Sequence, residues 1–84
     1  MQGCPIRCVV VDDQHLFRAG LASLFAQFAD VSLVGEARTG AEGIALVERR
    51  FPSVVLMDLH LPDMSGTEAT QAILEFAPRR SSAC

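Results

Sequence analysis

The spacing of apolar residues changes repeatedly along the chain, and each change predicts an element. Ile6-Arg7-Cys8-Val9-Val10-Val11 is a short β-branched run that stops abruptly at Asp12-Asp13, as a buried strand does. From His15 to Phe28 the apolar residues Leu16, Phe17, Leu21, Leu24, Phe25 and Phe28 recur at three- and four-residue spacing, which predicts an amphipathic helix. Asp30 breaks that pattern, and Val31 to Glu36 alternates like a second, less buried strand. Thr39-Gly40-Ala41-Glu42 has the form of a capping box, so a second helix follows through Ala45, Leu46 and Val47 and ends before Pro52. Ser53 to Met57 is nearly continuous in apolar residues, which predicts a strand buried on both faces and hence a parallel sheet. A loop of turn formers runs from Asp58 to Gly66. A third helix is expected from about Thr67 to Phe76, with Ala69, Ala72, Ile73 and Phe76 on one side and Pro78 closing it.

The order β-α-β-α-β-α implies right-handed crossovers onto one parallel sheet, an α/β architecture. With 84 residues, half of them hydrophobic and a fifth charged, the chain is expected to hold one domain with a real core. Only about 60–65% of the unfolded surface can be buried at this size, so stability is thin.

Charge narrows the function. The net charge is −3, the ten acidic residues are spread along the chain, and all seven basic residues are arginine. Arg49-Arg50 and Arg79-Arg80 are the only basic pairs; each falls at an expected helix end and reads as a solvated terminus, not a nucleic-acid footprint. Cys4, Cys8 and Cys84 form neither a Cys-x-x-Cys pair nor a zinc spacing, so reduced thiols are expected. No signal-peptide pattern and no membrane-length apolar run is present, and a cytoplasmic protein is the expectation.

The informative coincidence is acidic. Asp12-Asp13 end the first strand and Asp58 ends the third. Open α/β sheets bind ligands outside the carboxyl ends of their strands where strand order reverses. In the order 2-1-3 the two acidic ends are neighbours. Taken singly, each aspartate could be a helix cap or a turn residue. Taken together, three converging carboxylates relieve their repulsion either by raising a pKa or by binding a cation, and all-oxygen donors suit Mg²⁺.

These residues, followed by Leu61-Pro62-Asp63-Met64-Ser65-Gly66, resemble the receiver domain of two-component response regulators, over residues 6 to about 77. The resemblance implies a flavodoxin-like, doubly wound parallel sheet, cut to three strands and three helices in the order 2-1-3. Asp58 would be the phosphoacceptor, taking its phosphoryl group from the phosphohistidine of a sensor histidine kinase. Asp13 would ligate Mg²⁺ directly, Asp12 mainly through water, and His60 through its backbone carbonyl. The His60 and His15 side chains are given no role, and Pro62 and Gly66 would shape the loop. Such a receiver is not an enzyme in its own right. It regulates an output such as transcription, and DNA would be reached only through an output domain absent from this chain.

A complete receiver has five strands and five helices. The family's Ser or Thr after strand four and Lys after strand five have no match here, and the chain contains no lysine. Residues 78–84 would be a tail or the start of a fourth strand. With that strand missing, the third strand becomes a sheet edge, and a homodimer through it or through swapped elements is expected. The competing reading is a truncated, non-phosphorylated interaction module. A small hydrolase lacks an Asp-x-Asp at one strand end, and a dinucleotide site lacks a glycine-rich first turn.

Overall fold

The structure, a computed structural model, describes residues 5–75 of the chain. Its elements run β1 (Ile6–Val11), α1 (His15–Phe25), β2 (Val31–Ala37), α2 (Gly40–Arg50), β3 (Val54–Met57) and α3 (Gly66–Leu74). The three strands form one parallel sheet, as the alternation of elements predicts, in the order β2-β1-β3 that the receiver resemblance implies.

β1 is central and the most buried of the three strands: Val9, Val10 and Val11 are essentially inaccessible to solvent. Side chains alternate across a strand, so Val9 and Val11 face one side, where Ala37, Val34, Leu46, Val55, Met57 and Leu61 close around them. α2 packs against α3 on that side, close enough that a Cβ on Gly43 would meet the Val11 side chain at 2.7 Å. Right-handed crossovers that step from β1 to β2 and then back to β3 place α1 on the opposite face.

Several boundaries and one burial pattern depart from the sequence expectation. α1 stops at Phe25, not Phe28. Gln27 and Phe28 donate to Leu24 and Phe25 in tight three-residue turns, and Phe28 stays 53% exposed. β2 extends to Ala37, β3 starts at Val54 and α3 starts at Gly66. β3 is not buried on both faces. Val55 and Met57 reach the core, whereas Val54 and Leu56 remain 41% and 37% exposed, because β3 is the edge of the described sheet and α1 lies toward β2. The expected end of helix three at Phe76 and Pro78, the Arg79-Arg80 pair, Cys4, Cys84 and the tail 78–84 lie outside the described residues. Among the described residues, no helix is long and apolar enough to cross a membrane.

The capping box expected at Thr39 forms only in half. Thr39 Oγ1 accepts from the Glu42 N–H, but Glu42 Oε1 accepts from Arg38 instead of from Thr39. The complete reciprocal box is at α3, where Ser65 Oγ accepts from the Glu68 N–H and Glu68 Oε1 from the Ser65 N–H.

Candidate phosphoacceptor site

Asp12 and Asp58 each sit one step beyond a paired strand, and Asp13 follows Asp12. The Asp12 N–H donates to the Ala37 carbonyl at 3.0 Å, and the Asp58 N–H to the Val11 carbonyl at 2.9 Å. The sheet register therefore carries Asp12, Asp13 and Asp58 to one place, and a carboxylate oxygen from each lies within 4.8 Å of the others. Asp12 and Asp58 are half-buried and Asp13 is exposed.

The β1-to-α1 turn is a local device. Asp12 Oδ1 accepts from the Gln14 N–H at 2.8 Å, which folds the chain back into α1. Neither aspartate is the helix cap: Gln14 holds that position and its side chain makes no cap bond. Arg18 is buried in α1, and its Nη1 donates to the Asp12 carbonyl at 2.6 Å.

The loop after Asp58 closes on itself. Gly66 N–H donates to the Leu59 carbonyl at 2.8 Å, Leu61 N–H to the Met64 carbonyl, and His60 and Ser65 form an antiparallel bridge. The loop is also fastened to α2: Asp63 Oδ1 accepts from Gly40 and Oδ2 from Ala41, at 2.8 and 3.0 Å. These two amides, Gly40 first, hold the Asp63 carboxyl below its ordinary range. His60 is exposed and lies two residues beyond Asp58; His15 is exposed at the start of α1. Burial raises the Cys8 thiol, which makes it an inert core residue.

The donor set is three carboxylates within ion-sharing reach, part buried and part open to water. That combination fits a hard divalent cation that keeps several of its waters. Beside it, between α1 and β3, runs an apolar groove of about 350 Å³ bordered by Phe17, Leu21, Leu56 and Leu59.

A family model of the response regulator receiver domain matches residues 8–81. The chain belongs to the response-regulator receiver family. The receiver's relatives include an uncharacterized transcriptional regulatory protein, YhcZ, of Bacillus subtilis, 40% identical over 73 residues, which are 87% of this chain and 34% of that protein. The nitrate/nitrite response regulator NarL of Escherichia coli is 35% identical over 71 residues, 84% of this chain and 33% of that protein. Among solved structures, the response regulator domain of Thermotoga maritima CheB superposes with a TM-score of 0.84 at 34% identity, covering 88% of this chain and 55% of that one. The receiver chain thus spans about a third of these regulators and just over half of that solved domain. The flavodoxin-like fold and strand order expected from the receiver resemblance are the ones observed.

Asp12, Asp13 and Asp58, all singled out from sequence, are brought together. Arg18, Glu36 and Asp63 were not singled out. Their partners are set by the fold, and for Asp63 they lie 22 and 23 residues away.

Proposed function

We propose that Asp58 accepts a phosphoryl group from the phosphohistidine of a sensor histidine kinase, as the receiver of a cytoplasmic two-component system. The convergence of three carboxylates at the carboxyl ends of neighbouring strands carries this reading. An Asp58 carboxylate oxygen attacks phosphorus in line. The P–N bond breaks, the imidazole nitrogen leaves with the electron pair and takes up a proton, and an acyl phosphate remains on Asp58. Asp12, Asp13, Asp58 and the backbone carbonyl of His60 would hold Mg²⁺. Bound there, Mg²⁺ supplies charge neutralisation for the equatorial phosphoryl oxygens. The chain's own part is positioning: β1 and β3 present the carboxylates, and the loop closed by Gly66 keeps Asp58 facing outward. The output we propose is transcriptional, reached through a DNA-binding domain that is not among the described residues.

Transfer to Asp58 is expected to depend on the cation that Asp12, Asp13 and Asp58 would hold. Intact mass after incubation with acetyl phosphate and Mg²⁺ tests this. Mg²⁺-dependent addition of one phosphoryl group, lost in Asp58→Asn, is expected. Modification that is unaffected by Asp58→Asn would overturn the assignment.

A second reading is favoured by one observation: on β3, the edge of the described sheet, Val54 and Leu56 are exposed, Leu56 bordering the apolar groove. Here the chain is an interaction module that pairs with a second copy through β3, and the acidic site is vestigial. Absence of any saturable Mg²⁺ binding, together with a stable dimer, would select it.

A further inference from the structure

A fully buried arginine needs a reason. Guanidinium stays charged under all ordinary conditions, and burying a charge is costly unless it is paired and hydrogen-bonded. Arg18 is 7% exposed and is the only buried polar or charged residue among those described. Two groups answer it. Nη1 donates to the Asp12 carbonyl at 2.6 Å, and Nε lies 3.4 Å from Glu36 Oε1 on β2. Glu36 is the solvated partner, its side chain 41% exposed against 9% for Arg18.

The location matters more than the ion pair. Asp12 is held at its N–H by Ala37 and at Oδ1 by Gln14. Arg18 takes its carbonyl, the group that leads directly into the Asp13 peptide. The guanidinium thus spans α1, β2 and the β1-to-α1 turn, and it fixes the peptide plane between the two aspartates of the acidic cluster. Without that bond the turn keeps its sheet anchor but loses the contact that sets its rotation. The Asp13 carboxylate, exposed and without a hydrogen-bond or ion-pair partner among the described residues, would then be free to leave the cluster.

We propose that Arg18 is the positioning residue of the cation site: it touches no ligand but orients Asp12 and Asp13 through the Asp12 carbonyl, and Glu36 aims it. This rests on the cation-binding reading of the three carboxylates. Groups that orient metal ligands from behind typically change affinity by about 10–100-fold when removed.

The experiment is a Mg²⁺ titration of the full chain followed by ¹H–¹⁵N NMR, with amide hydrogen exchange read at Asp13 and Gln14. Variants are Arg18→Met, Arg18→Lys and Glu36→Gln, with Val9→Ala as a core-destabilised control remote from the turn. Arg18→Met is expected to weaken Mg²⁺ binding roughly tenfold or more, with Arg18→Lys recovering part of the loss. Exchange at Asp13 and Gln14 should rise while the β1 amides stay protected, and Val9→Ala should leave Mg²⁺ affinity unchanged. If Arg18→Met does not fold, Arg18→Lys and Glu36→Gln carry the test, each expected to shift affinity and exchange in the same direction by less. Wild-type affinity and exchange in both would overturn the proposal. So would a loss of affinity in Val9→Ala matching that in Arg18→Met, which would mark Arg18 as a stability residue alone. If the wild-type chain binds no Mg²⁺, the cation reading fails, and the Asp13 and Gln14 amides alone decide whether Arg18 orders the turn.

Discussion

Gly66 is where the fold tolerates no side chain, and Gly66→Ala is the sharpest test of how the loop after Asp58 is built. A Cβ at this position would fall on the Asp58 carbonyl oxygen, 2.9 Å from the Asp58 carbonyl carbon and 3.0 Å from Leu59 Cα. All three are backbone atoms, so no rotamer change can relieve the overlap. Carbon atoms rest about 3.5 Å apart, so the loop must retreat by roughly 0.5 Å or more. Overpacking of this kind costs roughly 1–3 kcal/mol. Against it stands the gain of about 0.4–1 kcal/mol from replacing glycine in the unfolded chain. The net loss is roughly 1–2 kcal/mol, which for a chain of this size lowers Tm by roughly 5–15 °C. The same retreat displaces Asp58, so Mg²⁺ affinity should fall beyond what the stability change explains. Circular dichroism melts and a Mg²⁺ titration at a temperature where both proteins are folded measure the two effects. A variant that kept wild-type Tm and wild-type affinity would show that the loop yields freely, and would refute the claim that Gly66 sets the position of Asp58.

Asp63→Asn should blunt the acid limb of the stability curve. The native Asp63 pKa is depressed, so its contribution is present above the unfolded value and is lost as pH falls through the native one; Tm followed from pH 7 downward should therefore decline less steeply in the variant, and identical limbs would refute the role. Val54→Lys places a charge on the β3 edge of the described sheet; under the second reading, in which the chain pairs through that edge, it should shift the chain toward monomer in light scattering at high concentration, and a wild-type chain that is already monodisperse would refute edge pairing. Val9→Ala removes two methylenes' worth of buried side chain and should cost roughly 2 kcal/mol in chemical denaturation, with an unchanged midpoint as the refuting result.

What could be read from sequence was whatever is periodic or adjacent. The β-branched run of β1 and the three- and four-residue spacing of α1 state their own periods, the alternation of elements implies a parallel sheet, and the receiver resemblance puts β1 at its centre. That was enough to bring Asp12, Asp13 and Asp58 together. What could not be read depends on partners far away in the chain. Asp63 looks like one more turn residue until α2 arrives with two free amides at Gly40 and Ala41. Arg18 looks like a polar position on an amphipathic helix until the β1-to-α1 turn folds back over it. Val54 and Leu56 look like core because a run of apolar residues carries no information about whether a neighbour covers it. The two Ser/Thr-x-x-Glu patterns are equivalent as sequence; only the Ser65 one closes, because at Thr39 the glutamate has turned to Arg38.

This separates two ways of damaging the site. Asp12 and Asp58 are each fixed by a backbone bond to the end of a paired strand, so their approach to one another is a property of the sheet register. Substitutions in the Val9 and Val11 core weaken the whole fold, but in every molecule that remains folded the register holds and the carboxylates still meet. Arg18 and Gly66 act after the register is set, one on the peptide between the two first-strand aspartates and the other on the carbonyl of Asp58. Their loss should reduce ion affinity out of proportion to stability. A plot of Mg²⁺ affinity against Tm across all four positions should therefore split into two lines, flat for the core and steep for Arg18 and Gly66. A single line through all of them would mean that the loops have no geometry of their own and that the sheet alone makes the site.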